Sequence, residues 1–306
     1  QYANPADVYR VSLGAGAEVV FLGVLPGRRL SLEASYGYML FANGVPLGYG
    51  GVTSLLGQGN IGINVFDEFR RGESAFLFAG VLGAARRVFG CERFVVNPYQ
   101  FGADNAEAIK SGAFWFYYRL GFRPVDDRIR RRAAAEFARI AAGRNRRTPV
   151  PLLREFAGCD LELALPGFGA RPRFKERWLA VLAAGATGVL ATQQSESRAD
   201  AGMRLVRQVS KALGIRTRGW SRGEQQSLRD LAPVLAQISN LPRWQAGERR
   251  ALVEIIRAKG GVSERRFAQL TAAHLRLRGT LAQAARQAER TNSRPSSAAT
   301  SGRRKA

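Results

Sequence analysis

Tyr36-Gly-Tyr-Met-Leu-Phe-Ala42 runs into Asn43-Gly44, and the chain returns through Val45-Pro-Leu-Gly-Tyr-Gly-Gly-Val-Thr-Ser-Leu55. Asn-Gly between alternating apolar runs is a strong two-residue hairpin signal, because both residues tolerate positive φ. Glycines at 48, 50 and 51 predict a bulge or a close backbone approach. After the turn Leu56-Gly-Gln-Gly-Asn60, Ile61-Gly-Ile-Asn-Val-Phe66 reads as a third strand. Residues 36–66 therefore read as a β meander.

The periodicity then changes. Apolar residues at 77, 78, 81, 82, 85 and 88 keep helical spacing, with Gly90 as a stop, which predicts a helix over 74–89. Arg93-Phe-Val-Val-Asn97 reads as a fourth strand ended by Pro98, residues 105–120 as a second helix stopped by Gly121, and 122–125 as the start of another strand. Residues 128–142 read as a basic helix, 143–149 as a linker and 160–165 as one more strand of the same sheet. Beyond Pro166 the pattern is helical, over about 174–184, 199–213, 224–239, 247–258 and 263–290. The expected class is α/β (α+β): a central mixed sheet flanked by helices over residues 1–165, a mainly helical basic region over 166–290, and an unstructured tail over 291–306, which is rich in Ser, Arg, Ala and Thr.

Charge divides the chain in the same place. The 306 residues carry a formal net charge of +23, but residues 1–125 hold 11 basic and 9 acidic side chains, whereas residues 126–306 hold 36 and 15. Of the 29 Phe, Tyr and Trp residues, 21 precede Pro124, so an aromatic core is followed by an arginine-rich region. That asymmetry suggests a polyanionic partner such as a nucleic acid, with residues 128–147 the densest basic stretch and Trp178, Trp220 and Trp244 dispersed among later arginines. It is equally compatible with arginines that only solvate helix faces. Two cysteines and one histidine supply neither a disulfide framework nor a zinc ligand set, so no metal is expected. The apolar run 179–192 is shorter than the about 20 residues that span a bilayer, and no basic, apolar and small-residue succession opens the sequence. No membrane association and a cytoplasmic location are the expectations.

The order hairpin, strand, loop, helix, strand, helix and Gly-Phe over residues 36–125 resembles the acyl-CoA N-acyltransferase (GNAT) superfamily. Tyr117-Tyr-Arg-Leu-Gly121-Phe122, with Ala113 one turn earlier, is similar to that family's Tyr-x-x-x-Gly-Phe motif, and Val65-Phe-Asp-Glu-Phe-Arg70 is similar to the strand end and arginine that open its pyrophosphate loop. The loop departs from the family's pattern, since Glu73 stands where the first glycine is expected; a one-residue shift recruits Gly72 instead. The resemblance covers about a third of the chain and implies acetyl-CoA or another acyl-CoA as co-substrate, with transfer of the acyl group to an amine acceptor.

A CoA pyrophosphate needs amides at a helix N-terminus, close backbone approach and nearby positive charge. Arg70, Arg71, Gly72, Ser74 and Ala75 are the candidates, with Ser74 placed to cap the helix. Strand residues Asn64, Val65 and Phe66 flank the expected pantetheine path. The family often has an asparagine seven residues before its tyrosine; here that position is Lys110, and Lys110 and Asn105 are further candidates for a CoA phosphate. The resemblance makes Tyr117 the acid that reprotonates the departing thiolate. Glu68, ahead of Asp67 and Glu73, is the candidate base for the amine. Asn97-Pro-Tyr-Gln-Phe101 is a candidate wall of the acceptor site. The alternative reading is a GNAT-like protein whose chemistry has lapsed and whose basic C-terminal region holds nucleic acid or another polyanion.

Overall fold

The computed structural model of the chain describes residues 2–70, 73–143, 147–168, 173–195 and 197–292. In chain order its elements are β1 (Ala3–Gly14), β2 (Ala17–Val24), β3 (Ala34–Ala42), β4 (Val45–Leu55), β5 (Gln58–Val65), α1 (Ser74–Phe89), β6 (Arg93–Val96), α2 (Ala106–Ser111), α3 (Ala113–Arg119), β7 (Arg123–Pro124), α4 (Asp127–Ala141), α5 (Val150–Phe156) and β8 (Leu161–Ala164). Then follow α6 (Arg177–Ala191), α7 (Arg198–Leu213), α8 (Arg222–Leu235), α9 (Ala246–Lys259), α10 (Arg265–Ala273) and α11 (Leu275–Asn292). The α+β class is as expected from the sequence: an eight-stranded mixed sheet flanked by helices, then a mainly helical basic region.

The strand order is β1-β2-β3-β4-β5-β6-β8-β7, antiparallel at every step except β5 to β6. A parallel step needs a crossover, and α1 supplies it. The expected turn forms at Asn43 and Gly44, both at positive φ (48° and 81°). One face of the sheet buries Val19 and Phe21 of β2 and Tyr36, Tyr38 and Leu40 of β3 on alternate positions. Against it α1 buries Leu77, Phe78, Val81, Leu82, Ala85, Val88 and Phe89, the stripe anticipated from the spacing. Phe89 lies 4.3 Å from the Tyr36 ring and 5.0 Å from Phe21, centroid to centroid. β6 is buried at all four positions, as a strand between covered faces should be. Its Arg93 pairs with Glu162, and Arg173 pairs with Asp160, which ties β8 into the sheet between β6 and β7.

Four local features depart from the expectations. The hairpin β1–β2 precedes the meander and was not anticipated. The helix expected over 105–120 is two helices that meet at Gly112, where φ is 69°. The linker expected over 143–149 is followed at once by α5, with residues 144–146 outside the described residues. The helix expected over 263–290 breaks at His274, whose Nδ1 accepts the Leu277 amide at 3.1 Å and so caps α11, while Nε2 bonds the Glu248 carbonyl.

The expected contiguous division at Pro166 is corrected. One compact unit comprises Gln1–Arg173 together with Ala258–Ala273, so a segment of the helical region returns to the sheet-bearing unit. The cause is a buried polar cluster. Arg29 donates to the carbonyls of Gly261 and Val262 at 2.6 Å, and Lys259 donates to the Glu33 carbonyl at 2.7 Å and pairs with Glu264. Asp7 accepts from the Tyr36 hydroxyl at 3.1 Å and from the Glu264 amide at 3.3 Å. Gly23 leaves room for the Asp7 carboxylate, which a β-carbon there would meet at 2.2 Å.

The second unit holds Phe174–Arg257 and the chain from His274 onward. Its core includes Trp178, Leu182, Leu205, Val209, Leu228, Leu235 and Leu281. Ser221 and Glu224 form a capping box at the start of α8. The expected tail lies outside the described residues from 293 onward. Among the described residues, no helix is long and apolar enough to cross a membrane.

Candidate functional site

The site is built where the sheet stops being continuous. β5 and β6 pair at Gln58↔Arg93, Gly59↔Phe94 and Asn60↔Val95 only, although β5 runs on to Val65. β6 ends at Val96 and turns at Pro98, so the β6-side edge of β5 beyond Asn60 has no strand partner among the described residues. A free edge of this kind offers backbone donors and acceptors to an extended ligand.

Gly62 sits in that edge. Its carbonyl accepts from the Tyr38 hydroxyl at 2.7 Å, and a β-carbon on it would lie 2.9 Å from the Gln100 side chain. The close approaches suspected from the glycine run are real: a β-carbon at Gly50 would meet the Gly62 oxygen at 2.2 Å and the Tyr38 ring at 2.4 Å, and one at Gly48 would meet the Asn64 oxygen at 2.4 Å. Tyr38 and Gln100 were not among the expected site residues. The signal for Tyr38 was the Gly-x-Gly-Gly pattern on the strand opposite it.

Tyr117 is almost fully buried among Phe78, Phe101, Phe116 and Phe122, with ring centroids 5.1 to 6.2 Å away. Burial raises its phenol above the usual tyrosine range, and burial does the same to Tyr38. Tyr118 faces the other way, against Phe114 and Phe137, with the Arg123 guanidinium over its ring.

The strand end and loop are arranged around Arg70. Its Nε donates to the Val65 carbonyl at 2.9 Å, Nη1 reaches Glu107 at 2.5 Å and Asp67 at 3.0 Å, and Nη2 lies 3.5 Å from Asn64 Oδ1. The guanidinium is held at the mouth of the edge strand, first by Glu107, which raises its pKa. Val65 is buried, Asn64 is exposed, and the half-buried Phe66 ring lies 6.0 Å from Tyr49. Arg71 and Gly72 lie outside the described residues. Glu73 occupies the cap position of α1 with no side-chain cap, so Ser74 is the first helical residue rather than the cap. Ser74 and Ala75 thus contribute amides of the first turn, which have no partner within a helix.

Glu68 is exposed in a 3-10 turn, Asp67–Phe69, and no hydrogen bond or ion pair joins it to Tyr117 among the described residues. Asn105 caps α2 by accepting the Ala108 amide at 3.0 Å, and its own amide donates to the Tyr99 carbonyl. Its polar atoms are therefore engaged locally, and Asn105 and Lys110 line a separate cleft described below. Asn97 caps the turn Pro98–Phe101 that carries Gln100.

Of the arginines in the basic stretch 128–147, Arg128 and Arg132 pair with Glu155, Arg130 with Asp127 and Arg139 with Glu136. Arg144 and Arg146 lie outside the described residues. Trp178 and Trp244 are buried and hydrogen-bonded to Glu289 and Asn240, as core anchors are. Among the described residues no group of three or more His, Cys, Asp or Glu is placed to hold a metal ion. Compared with known proteins, the chain matches no family model and no curated protein.

Proposed function

We propose that the sheet-bearing unit is an acyl-CoA-dependent N-acyltransferase that moves an acyl group, acetyl in the simplest case, to an amine. The observation that carries this reading is the early end of β5–β6 pairing at Asn60 and Val95, followed directly by Arg70 and the uncapped first turn of α1. The parting of the strands leaves an edge for the amide-bearing pantetheine arm. The helix N-terminus and Arg70 suit the pyrophosphate. The same sheet, a parallel step crossed by a helix and then Tyr117 before Gly121-Phe122, agrees with the GNAT resemblance read from the sequence.

In this reading the amine loses its proton through Glu68 acting by way of water, since Glu68 has no direct partner near Tyr117. The freed lone pair attacks the thioester carbonyl, the C–N bond forms, the C–S bond breaks, the leaving thiolate takes a proton from Tyr117, and the second proton shed by the nitrogen as it becomes an amide returns through water to the Tyr117 phenolate. A phenol raised by burial stays protonated at neutral pH, which is the state a donor requires.

Titration of the full chain with acetyl-CoA tests the reading. A ligand that binds only the folded state raises the melting temperature with concentration. The expected result is such a rise, reduced in Arg70→Gln, together with thiol release when amines are supplied. No shift at millimolar acetyl-CoA overturns it and favours a lapsed domain.

A further inference from the structure

A second recess lies on the opposite side of α3. Tyr117 turns toward Phe78 and Phe122, whereas Gly112, Trp115 and Arg119, spaced by three and four residues, share the other face. That face closes one wall of a cleft of about 1340 Å³. Ile109 and Lys110 of α2 form a second wall, and Val150, Leu153, Arg154 and Ala157, again at helical spacing along and just beyond α5, form a third. The Trp115 indole donates to Thr148 Oγ1 at 3.0 Å, which fixes the residue next to Arg147 against α3.

Lys110, Arg119, Arg147 and Arg154 line the cleft, all four are exposed, and none has an ion-pair partner among the described residues. Four of the five arginines of the neighbouring α4 differ, because the charges of Arg128, Arg130, Arg132 and Arg139 are already met by Glu155, Asp127 and Glu136. Among the described residues Asp104 is the only carboxylate lining the cleft, so the described lining carries a local excess of three positive charges. Beneath them the floor is apolar, from Ile109, Leu153 and the buried edge of Trp115.

We propose that this cleft binds an organic polyphosphate: two or three linked phosphates against Arg119, Arg147, Arg154 and Lys110, with an apolar or planar body on the floor. Guanidinium groups match phosphate oxygens in pairs, and three of them exceed what one carboxylate can satisfy. The volume exceeds the roughly 300–1,000 Å³ of common small-molecule pockets, which leaves room for more than the phosphates alone. The site stands on residues 102–157 and does not depend on the acyl-CoA reading.

Calorimetric titration of the full chain with ATP, inorganic tripolyphosphate and adenosine tests the proposal. ATP is expected to bind, tripolyphosphate to bind more weakly, and adenosine not to bind at about 1 mM. Affinity should fall steeply with added salt. Arg119→Gln combined with Arg154→Gln should weaken ATP at least about tenfold, with the melting temperature and acetyl-CoA affinity unchanged. Arg10→Gln, on the β1–β2 hairpin, should leave ATP affinity as it was. Absence of ATP and tripolyphosphate binding, or binding indifferent to the double replacement, overturns the proposal. Equal affinity for ATP and tripolyphosphate removes the organic body from it. Parallel loss of acetyl-CoA affinity in the double variant refutes a separate site and assigns the cleft to the acyl-CoA path, whereas a chain that binds ATP but never acetyl-CoA refutes only the transferase reading.

Discussion

The Tyr38 hydroxyl donates to the Gly62 carbonyl at 2.7 Å, and it reaches that carbonyl across a position that has no side chain, Gly50. A β-carbon at 50 would stand 2.4 Å from the Tyr38 ring, so Gly50→Ala must displace either the ring or β5. Overpacking of this kind costs about 1–3 kcal/mol, and urea unfolding is expected to show a loss in that range. Tyr38→Phe removes one hydrogen bond and should cost about 1 kcal/mol. An unchanged midpoint for Gly50→Ala would mean that Tyr38 does not lie against β5.

Tyr117→Phe separates packing from chemistry. The ring contacts with Phe78 and Phe122 survive the replacement and only the hydroxyl is lost. If the phenol protonates the leaving thiolate, turnover falls about 10²–10⁴-fold while acetyl-CoA affinity and the melting temperature stay near those of the parent chain. Turnover equal to the parent's assigns Tyr117 to the core alone.

How far the sequence could be read depended on whether the deciding forces were local. The meander and α1 follow from alternation and helical spacing, and their ends agree with the structure to within three residues. β1 left a weaker trace: it is an edge strand, exposed at many positions, so its alternation is diluted. The split of α2 from α3 needed Gly112 to be recognised as left-handed rather than merely tolerated. The return of 258–273 to the sheet depends on Asp7 and Arg29 near the start of the sequence meeting Lys259 and Glu264 far along it, which no periodicity announces. In the site, Arg70 was legible as a cation at a strand end. Its engagement with Glu107 was not, because that carboxylate belongs to a helix 37 residues on.

Cys91 provides a test of the core beside β6. It is fully buried, and burial pushes its thiol up to about 12. A neutral, inaccessible thiol does not react. In the folded chain at about pH 8 iodoacetamide should leave Cys91 unmodified by mass spectrometry, and unfolding in guanidinium should expose it to complete labelling. The half-buried Cys159, also raised by burial, should label slowly in the folded state. Rapid native labelling of Cys91 would place it outside the core.

Acid sensitivity should appear at the start of α8. The Glu224 carboxylate is held below its ordinary 4.5, first by the Ser221 amide and then by Arg257. A depressed carboxylate contributes stability that is present above its unfolded pKa and is lost as pH falls through the folded one. Ser221→Ala should therefore cost about 1 kcal/mol at neutral pH, and Glu224→Gln should lower the melting temperature there. The Glu224→Gln deficit should disappear on acidification below the folded pKa of Glu224. A deficit constant from neutral to acidic pH would show that the carboxylate charge takes no part in the cap.

Lys259 and Glu264 face each other almost without solvent, at 6% and 0% side-chain exposure, and burial lowers the amine's pKa and raises the carboxyl's. Lys259 also donates to the Glu33 carbonyl, and the Glu264 backbone amide donates to the Asp7 carboxylate of the same cluster. Removing one charge strands the other in a dry site, which costs about 3–5 kcal/mol, whereas replacing both with apolar groups of similar volume is often neutral. Lys259→Met is therefore expected to shift the unfolding midpoint strongly, and Lys259→Met with Glu264→Leu to recover most of the loss. If the single replacement costs under about 1 kcal/mol, the pair is solvated, and 258–273 is not held against the sheet by these charges. If the double variant stays as unstable as the single one, the loss comes from the backbone contacts at Glu33 and Gly261, and the ion pair only accompanies them.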